Sequence, residues 1–328
     1  MNYRTLGKTG LNVSEISLGT WQVGGTWGSP FDEKKAENII NTAIDNGVNF
    51  IDTADVYSDG LSEKTVGKVV RSRSEEVYIA TKCGRQLNPH TNEAYTTKAL
   101  RKFVEDSLSN LGVERIDLIQ LHCPPTEVYY RPEIFELFDT LTKEGKIRNY
   151  GVSVELVEEA LKAIEYPGVS TVQIIFNMFR QRPAELFFKE AQKKHVGIIA
   201  RVPLASGLLT GKFTKSTTFD KDDHRNFNRD GAAFDKGETF SGIDYNLGLE
   251  AVDALKDLFG PNKNLVHKAL QWILTFKEVS CVIPGASSTE QVISNLKTLE
   301  AKPLSAEEVL HVNAIYHKYI KKSVHQLW

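Results

Sequence analysis

Four residues with reactive side chains stand at the ends of three successive apolar runs in this sequence. Asp52 and Tyr57 follow the first run, Lys82 closes the second and His122 closes the third. Charged groups at the ends of buried strands are costly unless they are paired or functional. A hydrophobic barrel mouth would desolvate each of them and shift its pKa. The set as a whole therefore indicates a site rather than four unrelated structural residues.

The chemistry that this set fits is proton transfer to an oxygen. A free tyrosine has a pKa of about 10, and a neighbouring ammonium favours its phenolate form. A carboxylate keeps that ammonium charged and in place, and a histidine can orient a carbonyl oxygen by donating a hydrogen bond. Such a set is suited to protonating an alkoxide while a hydride reaches the carbonyl carbon.

Each residue taken alone has a structural explanation. Asp52 could cap a helix, and Tyr57 could be an aromatic residue at the edge of the core. Lys82 could lie on the surface, and a lone His122 would more often be a core histidine with its hydrogen bonds satisfied. The functional interpretation therefore rests on the four residues together.

Alternating strands and helices would position these side chains. Apolar runs predict strands at Ile16–Thr20, Phe50–Thr53, Val77–Lys82, Ile116–His122, Ile147–Ser153, Val172–Phe176, Gly197–Val202 and Ser280–Pro284. Helical periodicity predicts helices from a cap at Asp32 to about Asn46, near Glu63–Val70, Thr97–Leu111, Pro132–Glu144, Leu156–Ile164, Ala184–His195, Leu249–Phe259 and Val266–Phe276, from Thr289, and over Ser305–Lys322. Eight such units over about 250 residues predict an α/β protein with a (β/α)8 TIM barrel, whose function lies at the C-terminal strand ends. An open doubly wound sheet is the alternative, but the even spacing favours closure.

Two further segments complete this architecture. Met1–Leu6 and Leu11–Ser14 flank Gly7-Lys-Thr-Gly10 and predict an N-terminal β-hairpin. Residues 203–247 form a long irregular loop after strand 7, which is typical of a binding loop or a mobile one. No linker or change in composition divides the chain, so we expect a single domain over residues 1–328.

Composition narrows the classes of function. The net charge is −2 and 41% of the residues are hydrophobic, which favours neither a nucleic acid nor a membrane as partner. Cys83, Cys123 and Cys281 lie far apart, so neither a zinc site nor a disulfide framework is indicated, and we expect no metal. The absence of an apolar signal-peptide core and the cysteine usage predict a cytoplasmic location.

Several motifs, in order over nearly the whole chain, resemble the aldo-keto reductase superfamily. They are Asp52-Thr-Ala-Asp-Val-Tyr57, Gly60-Leu-Ser-Glu63, Ala80-Thr-Lys82, Ile116-Asp-Leu-Ile-Gln-Leu-His122, Gly151-Val-Ser153 and Ile283-Pro-Gly-Ala286. Bacterial members and potassium-channel β subunits share the patterns that begin at Pro203 and Gly285. The resemblance implies an extended NADP(H) bound without a Rossmann fold. It also implies reduction of an aldehyde or ketone, with Tyr57 as acid, Lys82 and Asp52 tuning it, and His122 orienting the substrate.

The same resemblance implies a set of cofactor contacts. They are Gly19, Thr20 and Trp21 beside the nicotinamide, Asp52 at a ribose, Ser153 and Gln173 at the carboxamide, Pro203, Leu204, Ser206, Gly207 and Lys212 along the pyrophosphate, Arg225 packed on the cofactor, and Gly285, Ser287, Gln291 and Asn295 toward the adenosine. Phe176 is a further candidate near the nicotinamide. A helix starting near Thr289 would direct its positive end at the 2′-phosphate. Many relatives have asparagine where this chain has Val154, and many NADPH-specific ones have arginine where it has Ser287.

The resemblance places the substrate pocket above the nicotinamide. Trp21, Trp27, Tyr57 and His122 would line it, with Tyr129 or Tyr130 as further walls. Aromatic walls predict an apolar or flat carbonyl substrate. Packing of loop aromatics explains Tyr129 and Tyr130 equally well.

Two other functions fit the same residues. A redox-sensing regulatory subunit that binds NADP(H), as channel β subunits do, would keep Asp52, Tyr57, Lys82 and His122, which we call the tetrad. A barrel isomerase or aldolase would use Lys82 as a Schiff-base lysine. The reductase interpretation explains the whole tetrad most directly.

Overall fold

The N-terminal hairpin closes one end of the barrel in this computed structural model, which describes residues 1–25, 30–260 and 263–328. Strands β1 (Tyr3–Thr5) and β2 (Asn12–Ser14) pair antiparallel around a short 3-10 turn. Gly7 in that turn has φ +53, and a Cβ there would lie 2.1 Å from the backbone nitrogen of Gly197. The turn therefore packs directly against the N-terminal end of the barrel strand that begins at Gly197. The hairpin itself was predicted from the sequence.

Eight parallel strands form the barrel, as predicted. They are β3 (Leu18–Gly19), β4 (Phe50–Asp52), β5 (Tyr78–Cys83), β6 (Ile116–His122), β7 (Ile147–Ser153), β8 (Val169–Ile175), β9 (Gly197–Arg201) and β10 (Val279–Val282). Each strand pairs with the next in chain order. Parallel bridges join Ile16 to Val282 and Gly19 to Gly285, which connect the first strand to the last. The sheet is thus closed rather than open.

Helices surround the barrel and return the chain to its N-terminal side. They are α1 (Glu33–Asp45), α2 (Leu61–Arg71), α3 (Thr97–Leu111), α4 (Pro132–Lys143), α5 (Val157–Ala163), α6 (Phe187–Lys193), α7 (His224–Phe227), α8 (Tyr245–Phe259), α9 (Leu265–Leu274), α10 (Thr289–Leu296), α11 (Ala306–Ile315) and α12 (Lys321–Val324). The Asp32 side chain accepts a hydrogen bond from the Lys35 amide, which confirms the predicted cap of α1.

The core has two layers because the strands are buried on both faces. Inside the barrel, Phe50, Leu118 and Ile199 pack with Leu6 and Leu11 of the hairpin region. A larger layer lies between the barrel and the helices. This arrangement leaves the C-terminal strand ends free of the hairpin and available for a site.

The long segment at 203–247 is irregular, as predicted, but it is extensively bonded. It contains 3-10 turns at Ala205–Thr210, Lys236–Glu238 and Phe240–Gly242 besides the short α7. The Ser206 hydroxyl donates to the carbonyl oxygen of Glu238 at 3.0 Å and accepts from the Phe240 amide at 3.0 Å. The first part of the segment is therefore tied to its last part.

The C-terminal region differs from the single helix predicted over Ser305–Lys322. A π-helical turn at Tyr316–Ile320 separates α11 from α12. Beyond it, the Trp328 indole N–H donates to Asp235 at 2.8 Å, and the Arg180 guanidinium lies 4.1 Å from the Trp328 ring. Within the described ranges, the helices are too short or too polar to cross a bilayer.

Candidate active site

The ammonium of Lys82 joins the residues predicted to act together. Lys82 is 1% exposed, near the C-terminal end of β5. Its Nζ donates to Asp52 Oδ2 at 2.6 Å, to the carbonyl oxygen of Thr53 at 2.8 Å and to the Tyr57 hydroxyl at 3.4 Å. The tetrahedral ammonium has three N–H donors, so each one has an acceptor.

The fourth predicted residue, His122, faces the tyrosine. The rings of Tyr57 and His122 are edge to face, with centroids 6.0 Å apart. His122 is the last residue of β6 and is 7% exposed. Its Nδ1 is buried and has no hydrogen-bond partner among the described residues. The structure therefore brings all four residues to one end of the barrel.

Burial and nearby charges set the protonation of these groups. Burial raises the pKa of the Tyr57 hydroxyl above 10, although the charge of Lys82 opposes it. Burial alone would lower the pKa of Lys82, but Asp52 and Tyr57 hold it above its usual value. Burial, with Arg85 and Lys82, lowers the pKa of His122 well below its usual value. At neutral pH the site thus presents a phenol, an ammonium and a neutral imidazole.

The phenol departs from one expectation drawn from the sequence. The lysine was expected to favour phenolate, and its charge does act in that direction. Desolvation is the larger effect, so the hydroxyl keeps its proton at neutral pH. A protonated phenol is the form that can donate to an oxygen.

Two amides support Asp52 from neighbouring strands. Gln173 Nε2 donates to Asp52 Oδ1 at 2.8 Å, and Gln120 Nε2 lies 3.4 Å from the same oxygen. Gln173 was expected at the carboxamide of a cofactor. In this structure its amide nitrogen positions the carboxylate that holds Lys82.

The residues expected beside a nicotinamide lie around the same strand ends. Thr20 donates through its amide and hydroxyl to the carbonyl oxygen of Asp52, at 2.9 and 3.0 Å. Ser153 closes β7, next to His122 in the strand register. The Val154 amide donates to the Gln173 carbonyl at 2.9 Å, so the valine adds no side-chain donor here.

Two glycines, Gly19 and Gly285, stand at the junction between the first and last strands. A Cβ on Gly19 would lie 2.9 Å from the carbonyl oxygen of Ile283. Gly285 is exposed, and a Cβ there would meet nothing closer than Gln22 Oε1 at 3.5 Å. The close packing of Gly19 requires a residue without a side chain, and the bare backbone of Gly285 leaves space on which a flat ring can lie.

The predicted contacts in the long segment have partners within that segment. A Cβ on Gly207, which has φ +99, would meet the Phe213 ring at 2.8 Å. Arg225 pairs with Asp223 and lies 4.7 Å from the Phe219 ring. Lys212 is exposed, whereas Pro203 is buried and Leu204 is partly buried. Pro203 and Leu204 follow closely after β9, which ends at Arg201.

The residues expected toward the adenosine surround the start of α10. Ser288 caps this helix, and Gln291 Oε1 accepts from the Ser287 amide at 2.8 Å. Asn295 is 7% exposed within the same helix. A surface groove of about 320 Å³ beside this helix start is lined by Asp32, Lys34, Lys35, Asn38, Ile39, Ser288 and Thr289.

The aromatic walls predicted from the sequence are only partly present. Trp21 is partly buried, with its ring 4.7 Å from His224; Trp27 lies outside the described residues. Tyr129 is fully buried and its hydroxyl donates to the Ser153 carbonyl at 3.3 Å, whereas Tyr130 is 64% exposed. Tyr129 is therefore a packing residue, and the Lys162 ammonium lies 5.1 Å from the centroid of the Tyr130 ring.

Phe176, the further candidate near the nicotinamide, packs in the hydrophobic core. Phe176 is fully buried, and its ring stacks on Trp272 at 5.0 Å and contacts Phe188 and Phe276. These neighbours belong to the layer between the barrel and the helices. Phe176 therefore serves the core.

Sequence reasoning missed a charged group beside the tetrad, which we call the charged quartet: Arg85, Glu155, Arg201 and Glu238. Arg201 contacts Glu155 at 2.9 Å and Glu238 at 3.7 Å, and Arg85 donates to Glu238 at 3.0 Å. Arg201 also lies 3.6 Å from the thiol of Cys123, which directly follows His122. The sequence did offer one signal for this group, because Arg201 stands at the end of a predicted strand.

The quartet also explains why three ligand-type atoms are close together. Side-chain atoms of Cys123, Glu155 and Glu238 lie within 4.8 Å of one another. The Arg201 guanidinium contacts all three of these side chains. Arg201 is thus the cation that these groups share.

The barrel and the tetrad define an oxidoreductase of the aldo-keto reductase class, and comparison with known proteins agrees. The family model of the Aldo/keto reductase family matches residues 15–317, and the chain belongs to that family.

Individual relatives cover nearly the whole chain. It is 32% identical to "Aldo-keto reductase YhdN" of Bacillus subtilis (strain 168), over 99% of this chain and 96% of that protein. It is 28% identical to "Probable voltage-gated potassium channel subunit beta" of Arabidopsis thaliana, over 94% of each chain. The holo form of aldo-keto reductase AKR11C1 from Bacillus halodurans superposes with a TM-score of 0.77 at 28% identity, over 96% of each chain.

Proposed function

We propose that this protein reduces aldehydes or ketones to alcohols with NADP(H). The observation that carries the proposal is the Lys82 ammonium bonded to Asp52 and to the Tyr57 hydroxyl, at 2.6 and 3.4 Å. His122 faces the same tyrosine. A proton donor, its electrostatic partner and a neutral hydrogen-bonding imidazole thus meet at one barrel mouth.

Each residue of the tetrad has a separate task in this proposal. Tyr57 donates its proton to the oxygen of the substrate carbonyl. Lys82 stabilises the phenolate that remains, and Asp52 holds Lys82 charged and in position. The neutral His122 orients the carbonyl oxygen. Bound NADP(H) would supply the hydride.

The residues present fit an extended nicotinamide cofactor. The exposed backbone of Gly285 allows a ring to approach the strand ends. We propose that the cofactor contacts are Gly19, Thr20, Trp21, Asp52, Ser153, Gln173, Pro203, Leu204, Ser206, Gly207, Lys212, Arg225, Gly285, Ser287, Gln291 and Asn295. Trp21, Trp27, Tyr57 and His122 are the proposed substrate contacts.

Preference for NADPH over NADH rests on the start of α10. The backbone N–H groups there favour an anion, and Ser287 can donate a hydrogen bond. Lys34 and Lys35 line the adjacent groove and add positive charge, although Asp32 lines it too. Absorbance at 340 nm, followed with each cofactor in turn, measures the preference.

Replacing Tyr57 by Phe tests the proposal. Loss of the proton donor should lower kcat by about 10²–10⁴-fold, while the Kd for NADPH, measured by fluorescence titration, stays within about twofold. Tyr130→Phe is the matched control, because Tyr130 is 64% exposed. Wild-type turnover by Tyr57→Phe would refute the assigned role.

A regulatory subunit that senses NADP(H) is the second candidate. The similarity to a plant protein named as a probable channel β subunit favours it. Tight NADPH binding with negligible turnover of aldehydes and ketones would support this function over catalysis. Schiff-base chemistry fits less well, because Asp52 and Tyr57 keep Lys82 protonated and a protonated amine is not a nucleophile.

We further propose a cytoplasmic location and a single domain over residues 1–328. Cys83, Cys123 and Cys281 are all free and buried. Unpaired cysteines fit a reducing compartment. Fractionation of cells that express the protein would test the location.

A further inference from the structure

The charged quartet adjoins the proposed carbonyl site. Arg201 is the last residue of β9, and its guanidinium contacts Cys123, the residue after His122. Arg85 lies three positions after Lys82, in the loop that follows β5. Its charge is the largest charge effect on the His122 pKa. A substrate held by His122 and Tyr57 would therefore lie in the field of this quartet.

The two arginines differ in how fully their donors are used. Arg201 contacts Glu155, the Val154 carbonyl oxygen and Cys123, and its side chain is 9% exposed. Arg85 has five N–H donors, and within the described ranges Glu238 alone bonds to them. Its side chain is 21% exposed. Arg85 can thus accept a second partner without leaving Glu238.

The two carboxyl groups of the quartet differ in how readily they ionise. Burial raises the pKa of Glu155, although the charge of Arg201 opposes the shift. Burial opposes ionisation of Glu238, but Arg85 and Arg201 hold its pKa at about 2. Glu238 is therefore the carboxylate that both guanidiniums contact, at 3.0 and 3.7 Å. The donors of Arg85 that Glu238 leaves unused can bind a further anion.

We propose that the carbonyl substrate carries a carboxylate and that Arg85 binds it beside the tetrad. A guanidinium and a carboxylate form two parallel hydrogen bonds, which gives both affinity and orientation. This inference rests on the proposed reductase function and names its substrate class. It replaces the apolar substrate expected from aromatic walls.

Matched aldehydes test the proposal directly. The probes are 4-oxobutanoate and its uncharged methyl ester, assayed with saturating NADPH at pH 7. We expect kcat/KM of the wild type to favour the acid by about tenfold or more. A ratio of one or less would overturn the proposal.

Substitutions of Arg85 separate two roles, binding the carboxylate of the substrate and holding Glu238 of the long segment. Arg85→Gln should reduce the acid-to-ester ratio by about tenfold, chiefly through KM of the acid, and Arg85→Lys should restore part of it. Arg101→Gln is the control, because Arg101 forms a bidentate pair with Glu144 on the surface. Equal losses for acid and ester in Arg85→Gln would show a role in holding Glu238 alone.

An inhibition assay on the wild type covers the case in which Arg85→Gln does not fold. Succinate should inhibit reduction of the methyl ester competitively, and dimethyl succinate should inhibit it at least tenfold more weakly. Equal inhibition would overturn the proposal.

Turnover of the ester without preference for the acid refutes this inference alone. Turnover of neither aldehyde, nor of any other aldehyde or ketone, refutes the reductase function and this inference with it.

Discussion

At the scale of single residues, the chemistry depends on how the Lys82 ammonium is held. The bonds to Asp52 and to the Thr53 carbonyl are short, 2.6 and 2.8 Å, and the bond to Tyr57 is longer, 3.4 Å. The short bonds hold the Lys82 ammonium in position, and the longer one leaves the phenol free to turn toward a substrate oxygen. Such contacts commonly tighten when substrate binds.

The same pair makes a prediction about stability. Asp52→Asn should lower the free energy of unfolding by about 3–5 kcal/mol, because it leaves a buried ammonium without its carboxylate. Urea denaturation measures this. The double variant Asp52→Leu, Lys82→Met should recover much of the loss, since an apolar pair needs no charge partner. A single variant as stable as the wild type would show that Lys82 does not rely on Asp52.

Asp55 makes the stability of the protein depend on pH. Both its carboxylate oxygens are buried without a side-chain partner among the described residues. Burial raises its pKa from 3.8 to about 8, with the charge of Glu63 acting in the same direction. The folded state thus keeps a proton that the unfolded chain releases. This contribution is fully present below pH 4 and is lost as the pH rises through 8.

Asp55→Asn tests that pH dependence. The variant should gain stability relative to the wild type as the pH rises from 5 to 8.5, because the amide is neutral throughout. Urea midpoints at several pH values measure the difference. Asp59→Asn is the control, since Asp59 is exposed. A difference that stays constant with pH would contradict the assigned burial.

At the scale of elements, three contacts attach the long segment at 203–247 to other parts of the chain. Glu238 pairs with Arg85 of the loop after β5. His224 lies 4.7 Å from the Trp21 ring in the loop after β3, and Asp235 accepts from the C-terminal Trp328 at 2.8 Å. The segment is therefore tied to two loops that follow barrel strands and to the C-terminus, through contacts that are distant in sequence.

Helix packing beside the site depends on Gly67. A Cβ there would lie 2.1 Å from the Leu111 carbonyl oxygen at the end of α3. Alanine favours a helix by about 1 kcal/mol over glycine, but this clash with backbone should dominate. Gly67→Ala should destabilise the protein by about 1–3 kcal/mol. Urea denaturation measures the effect.

A second substitution on α2 controls for helix propensity. Lys64 is exposed, so Lys64→Ala should change stability by less than about 0.5 kcal/mol. Stabilisation by Gly67→Ala would mean that α2 and α3 can move apart at little cost.

At the scale of the whole molecule, the closed barrel follows closely from the sequence. The bounds of β6, β7 and α3 were predicted to the residue, because the strand and helix patterns there end at clear turn signals. The π-helical turn at Tyr316–Ile320 was missed, since the pattern there continues without a break. Closure brought the tetrad together as predicted, because all parallel strands end at the same face.

The rest of the site depends on tertiary contacts that no local pattern encodes. Gln173 reaches Asp52 across the barrel, and Glu238 reaches Arg85 and Arg201 from a segment without periodicity. These pairings fix the electrostatics of the mouth. The quartet and the raised pKa of Tyr57 could therefore be found only once the chain was folded.

The central claim is that this mouth reduces a carbonyl with hydride from the nicotinamide, with the Tyr57 phenol as proton donor. The most direct measurement is mass spectrometry of the alcohol formed by the wild type from a carbonyl substrate and NADPH with both C4 hydrogens replaced by deuterium. The account predicts one deuterium at the carbinol carbon, and almost no alcohol from Tyr57→Phe. Alcohol without deuterium, or equal labelled product from Tyr57→Phe, would contradict it.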